Sequence, residues 1–84
     1  MSALPAVIDV FAGVGGLSLG AARAGFRVAA AVEIDSHAAA AHKLNFPLTA
    51  HIEQDVASLT GEELLASAGL TVVELAGLIG GPPC

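Results

Sequence analysis

A β-rich apolar run, Ala6–Phe11, passes through the single residue Ala12 into Gly13-Val14-Gly15-Gly16 and then into the helix-forming stretch Leu17–Ala24. A strand that turns on glycines straight into a helix is the opening of a βαβ unit. The remainder of the chain repeats the alternation. Gly25 follows the first helix as a left-handed stop, and Arg27–Val32 reads as a second strand. Asp35 or Ser36 caps a helix over His37–Leu44, which Pro47 ends. Ala50–Glu53 reads as a short third strand leading into Gln54-Asp55. Thr60-x-x-Glu63 forms a capping box for a helix over Glu62–Ala68, closed by Gly69. Leu75–Ile79 is the fourth strand, with Thr71–Glu74 as part of it or its approach. The order β-α-β-α-β-α-β predicts an α/β fold with a parallel sheet and right-handed crossovers.

The apolar content sharpens this. Hydrophobic residues make up 55% of the 84, and the ten glycines bring the share to about two thirds. A body of this size cannot bury that much apolar surface alone. Parallel strands covered on both faces read as continuous Val/Ile/Leu and explain part of it. A core that continues into sequence beyond residue 84 explains more. The longest charge-free stretch, Val10–Ala22, carries four glycines and is too short for a spanning helix, so no membrane association is expected. Met1–Pro5 lacks the basic start of a signal peptide, and a single cysteine forms no internal disulfide; a cytoplasmic location is expected. The net charge is −5, with Arg23, Arg27 and Lys43 as the only cations. Nucleic-acid affinity rests on Lys and Arg neutralising phosphates, so this segment is not the main grip on any nucleic acid.

Ligands of open parallel sheets bind beyond the carboxyl ends of the strands. The chain places Gly13, Gly15 and Gly16 after the first strand, Glu33 at the end of the second, Asp55 after the third and Cys84 after the fourth. The glycine turn departs from Gly-x-Gly-x-x-Gly, because Ser18 holds the third position; a tight turn without ligand is the alternative. Glu33 lies at the spacing from Gly13 where a carboxylate accepts ribose hydroxyls, though a solvated strand end has the same look. Asp55 reads equally well as a turn former. Phe11 is a core residue or packs on an adenine edge, and the pattern favours the core. His37, His42 and His51 have no cysteine or acidic partner at metal-ligand spacing, so no metal is expected and all three read as structural or exposed. Cys84 follows Pro82-Pro83, whose rings leave the loop few conformers. That suits a held nucleophile, against the alternative of an inert small hydrophobe.

Taken together, these residues resemble the DNA (cytosine-5) methyltransferases. Asp9-x-Phe11-Ala12-Gly13-x-Gly15-Gly16 is similar to the family's cofactor loop, Val32-Glu33-Ile34-Asp35 to its second motif, and Asn45-Phe46 with Asp55-Val56 to the stretch up to its third. Gly80-Gly81-Pro82-Pro83-Cys84 resembles the fourth, which carries the catalytic cysteine. The resemblance implies a Rossmann-like S-adenosylmethionine-dependent fold with an incomplete parallel sheet, and residues 1–84 as its N-terminal part. It implies that the backbone of Phe11, Ala12, Gly13, Val14, Gly15 and Gly16 wraps the methionine part of S-adenosylmethionine. Glu33 would bind the ribose hydroxyls, Ile34 the adenine face, Asp55 the adenine amino group and the Val56 amide a ring nitrogen. Cys84 would attack C6 of a cytosine flipped out of double-stranded DNA. The family's Glu-Asn-Val and Gln-x-Arg-x-Arg motifs, its target recognition domain and its C-terminal helix are not in these residues. DNA would therefore be held through residues beyond Cys84, or by a complementing C-terminal chain if the enzyme is split. A nucleotide-binding module for NAD or FAD with an incidental Cys84, and a remnant that binds nothing, stay open.

Overall fold

The computed structural model describes residues 4–81. Its elements are β1 (Ala6–Asp9), α1 (Gly16–Arg23), β2 (Arg27–Val32), α2 (Ser36–Asn45), β3 (Ala50–Ile52), a 3-10 turn (Val56–Ser58), α3 (Gly61–Ala68) and β4 (Leu75–Ile79). Each expected strand and helix is present, with small shifts at the ends. β1 stops before Phe11 because the Asp9 carboxylate accepts the Phe11 amide at 3.3 Å and bends the chain out of the strand. β3 stops at Ile52 rather than Glu53. Thr71–Glu74 is a turn, closed by the Glu74 amide donating to the Thr71 carbonyl at 3.0 Å. The Thr71 amide and hydroxyl both donate to the Glu74 carboxylate, which holds that group below the usual carboxylate range.

The helix starts follow their local chemistry. Asp35 caps α2 by accepting from the Ala38 amide at 2.9 Å. Thr60 and Glu63 form both hydrogen bonds of the capping box on α3. Gly25 and Gly69, at φ +96° and +70°, take the left-handed turns that end α1 and α3.

The four strands run parallel in the order β3-β2-β1-β4. The order reverses after β3, so β4 lies on the far side of β1. Right-handed crossovers then require α3 to cover the face opposite α1 and α2. The packing agrees. Ile8, Ala30 and Val32 form a core cluster with Leu64 of α3. Asp9, which alternates with Ile8 along β1, accepts from Ser18 of α1 on the other face, and Ser18 in turn meets His42 of α2. The run Ala29-Ala30-Ala31 in β2 is fully buried, and its small side chains let the helices approach closely.

Burial on both faces accounts for the apolar sequence of β1 and β2 but not of β4. Half-buried and exposed residues alternate along β4, and Leu78 keeps 57% of its surface open. Among the described residues, no helix is long and apolar enough to cross a membrane.

Candidate functional site

The carboxyl ends of all four strands open into one cleft of about 360 Å³. Val10, Phe11 and Gly13 line it after β1, Val32, Glu33 and Ile34 after β2, Gln54, Asp55 and Val56 after β3, and Gly81 after β4. It is the crevice at the point where strand order reverses, where doubly wound sheets bind ligands. Its size falls within the range of small-molecule sites.

Glu33 ties two of these loops together. One carboxylate oxygen accepts from the Gly13 amide at 2.7 Å and the other from the Asp35 amide at 2.9 Å. The acidic strand end therefore organises the glycine turn twenty residues before it. A carboxylate has about four lone-pair sites, so accepting capacity is left for a ligand. Asp55 is exposed and accepts from the Ala57 amide at 3.0 Å through one oxygen, which starts the 3-10 turn. Ile34 leaves 64% of its surface open beside the cleft. Phe11 does not enter the core as its pattern suggests. It is 37% exposed on the cleft wall, because the bend at Asp9 takes it out of β1.

The glycine turn is shaped by two left-handed residues, Gly13 at φ +53° and Gly15 at φ +111°. Gly15 also has no room for a side chain. A Cβ there would stand 2.9 Å from Phe46 and 3.3 Å from His42. At Gly80 a Cβ would fit tightly, 3.0 Å from Val10 and 3.2 Å from Phe11. Ala12 is buried, and its amide donates to the Val32 carbonyl at 3.0 Å. Val14, Gly15 and Gly16 do not reach the main cleft. They line a second hollow of about 350 Å³ with Leu19, Asn45 and Phe46. Of the residues singled out in the sequence, the main cleft thus gathers Phe11, Gly13, Glu33, Ile34, Asp55 and Val56. Cys84 lies outside the described residues.

Beneath the turn lies a polar chain that sequence patterns did not reveal. The Ser18 hydroxyl donates to Asp9 at 2.7 Å, His42 Nε2 meets the same hydroxyl at 2.8 Å, and His42 Nδ1 meets His51 Nε2 at 2.8 Å. Asp9, Ser18 and His42 are completely buried. Phe46 stacks on His42 with ring centroids 4.6 Å apart. Burial pushes the His42 imidazole below its ordinary value, and the neighbouring His51 adds to this. Burial lowers His51 as well. No group of three or more potential metal ligands occurs among the described residues.

This site can be set beside known proteins. The family model for C-5 cytosine-specific DNA methylases matches residues 6–84. The chain belongs to that family. It is 50% identical over 80 residues to the type II methyltransferase M.XorII of Xanthomonas oryzae, which covers 95% of this chain and 19% of that protein. It is 41% identical over 78 residues to M.AquIA of Picosynechococcus, with 93% and 32% covered. A solved structure of a candidate DNA modification methyltransferase encoded within an E. coli prophage superposes with a TM-score of 0.85 at 53% identity, over 94% of this chain and 22% of that one. The chain therefore spans about a fifth to a third of the length of these relatives.

Proposed function

We propose that residues 1–84 form the cofactor-binding part of a DNA (cytosine-5) methyltransferase, and that the cleft holds S-adenosylmethionine. The observation that carries this reading is the convergence of Gly13, Glu33, Ile34 and Asp55 in one crevice of a chain from the C-5 cytosine methylase family. The donor and acceptor set fits such a group. Glu33 offers a carboxylate for a ribose diol, while Ile34 and Phe11 offer open apolar faces for a flat base. Asp55 offers an acceptor for an exocyclic amine, and the Val56 amide a donor for a ring nitrogen. When bound, S-adenosylmethionine supplies an electrophilic methyl group.

The chain's own residues do the rest of what this segment contributes. The Phe11–Gly16 backbone holds the position of the loop, fixed at Gly13 by Glu33 and at Ala12 by Val32. Cys84 follows the loop that leaves β4 and is the proposed nucleophile. Its thiolate adds to C6 of the cytosine and makes C5 electron-rich. Reactivity of the thiol requires a lowered pKa and a proton for the ring as C6 is attacked, both to be supplied from outside residues 1–84. Duplex DNA as the substrate is part of the same proposal, gripped by residues beyond this acidic segment.

Calorimetry on the full-length gene product tests the cofactor. Binding of S-adenosylmethionine that is tighter than binding of NADH is expected. NADH binding more tightly would replace this reading with that of a dinucleotide module.

A further inference from the structure

The polar chain under the glycine turn has a direction. The Asp9 carboxylate can only accept, and it takes the single hydroxyl proton of Ser18. The Ser18 oxygen must then accept from His42, which puts the proton of a neutral His42 on Nε2. That leaves Nδ1 bare, so His51 Nε2 must donate to it. Protons thus point one way, from His51 on β3 through His42 on α2 and Ser18 on α1 to Asp9 at the end of β1. Asp9 in turn accepts the Phe11 amide at 3.3 Å, and the His42 ring stands against the place where a Cβ on Gly15 would go. The chain touches the cofactor turn at its first residue and in its middle.

We propose that His42 is the positioning residue of the cofactor loop, acting in its neutral Nε2–H form as the link that locks Phe11 and Gly15 in place. The assignment rests on the reading of the cleft as the S-adenosylmethionine site. His42 touches no part of the cleft and acts only through Ser18, Asp9 and the packing against Gly15. Protonating it would put a proton on Nδ1, and His51 could keep the 2.8 Å contact only by moving its own proton from Nε2 to Nδ1. The charged and titratable groups facing the pair are Asp9 on β1, Glu33 at the end of β2 and His51 on β3, with Lys43 of α2 beside His51. The two carboxylates favour a charged His42, whereas burial and His51 oppose it more strongly. Acid should therefore loosen the turn.

The test uses the full-length gene product, with S-adenosylmethionine affinity measured by calorimetry from about pH 5 to 8, across the ordinary histidine range. Wild-type affinity should fall as pH drops through the His42 titration, which burial holds below the ordinary 6.5. His42→Gln keeps one donor and one acceptor but does not titrate. It should stay within about threefold of wild type at pH 8 and lose the pH dependence, whereas His42→Phe should bind about tenfold more weakly, having lost both hydrogen bonds that His42 makes, to Ser18 and to His51. If His42→Phe does not fold, His51→Ala, which removes only the donor to Nδ1, should weaken binding several-fold. Long-range nitrogen–proton NMR of the cofactor-free protein should show His42 protonated at Nε2 and bare at Nδ1. An Nδ1–H tautomer overturns the proposal. So does a His42→Gln protein with the wild-type pH profile, or a set of variants that lower the melting temperature and leave affinity unchanged. A wild type that binds no S-adenosylmethionine refutes the cofactor reading instead, and the ring-nitrogen spectrum still upholds or overturns the chain.

Discussion

The Gly13 amide donates to the Glu33 carboxylate at 2.7 Å, so the residue proposed to hold the ribose also holds the loop that would wrap the methionine. Removing the carboxylate would disturb both. Glu33→Ala should weaken S-adenosylmethionine binding by about tenfold or more, since each hydrogen bond to a charged group contributes roughly 1.5–3 kcal/mol. Titration calorimetry of the full-length protein measures this. An unchanged affinity would separate Glu33 from the cofactor and leave it as a loop brace alone.

The glycines of the turn should differ sharply in tolerance. Gly15→Ala combines φ +111° with a Cβ 2.9 Å from Phe46, and the strained backbone alone is worth about 1–3 kcal/mol. Gly16 has nothing within 4 Å of an added Cβ and opens α1, so Gly16→Ala should be neutral or stabilising by up to about 1 kcal/mol. Denaturant titration of the two variants decides it. Equal losses would show that the turn relaxes around a new side chain.

Stability should fall in mild acid. His42 and His51 both titrate below their ordinary value of 6.5 in the fold, because burial disfavours their charged forms. The unfolded chain then binds more protons than the folded one between the lowered values and 6.5. Stability is full above pH 6.5 and declines as pH falls through that window. His42→Gln should flatten the slope of melting temperature against pH there. A wild type equally stable at pH 5 and pH 7.5 would contradict this (a window fixed by the ordinary histidine value).

β4 carries the fourth. Among the described residues it pairs only with β1, and Leu78 is 57% exposed on it. Open, apolar edges template association. The 84-residue polypeptide should sediment as concentration-dependent oligomers, and Leu78→Lys should shift it toward monomer. A monomer at all concentrations would refute this.

Much of this was legible in the sequence for a physical reason. Strand and helix periods, the Thr60–Glu63 box and the stops at Gly25 and Gly69 are local, and local chemistry fixed them. Motif spacing brings Glu33 and Gly13 to one cleft, but the hydrogen bond between them shows only in the packed loops. Phe11 was misplaced because the bend at Asp9 depends on a side-chain hydrogen bond rather than on pattern. The Asp9–Ser18–His42–His51 chain was missed because its members come from four elements. A helix-face argument sets His42 apart from His37, five residues before it on α2, and only the topology brings it to His51. The signal available was the pair of short polar residues, Asp9 and Ser18, flanking the turn.

Cys84 gives the decisive test of the chemistry. In the full-length protein Cys84→Ser should lose turnover by several orders of magnitude, while S-adenosylmethionine affinity stays nearly unchanged. Glu33, Ile34 and Asp55 lie on other strand ends and remain in place. With S-adenosylmethionine present, a duplex with 5-fluorocytosine at the target should trap a covalent adduct on the wild type, because the thiolate adds to C6, C5 takes the methyl group, and fluorine then blocks the elimination that would release the enzyme. The adduct requires a thiol of lowered pKa, so its rate of formation should rise with pH until that thiol is ionised. Equal adduct formation by Cys84→Ala would remove the cysteine from the reaction and leave residues 1–84 with cofactor binding only.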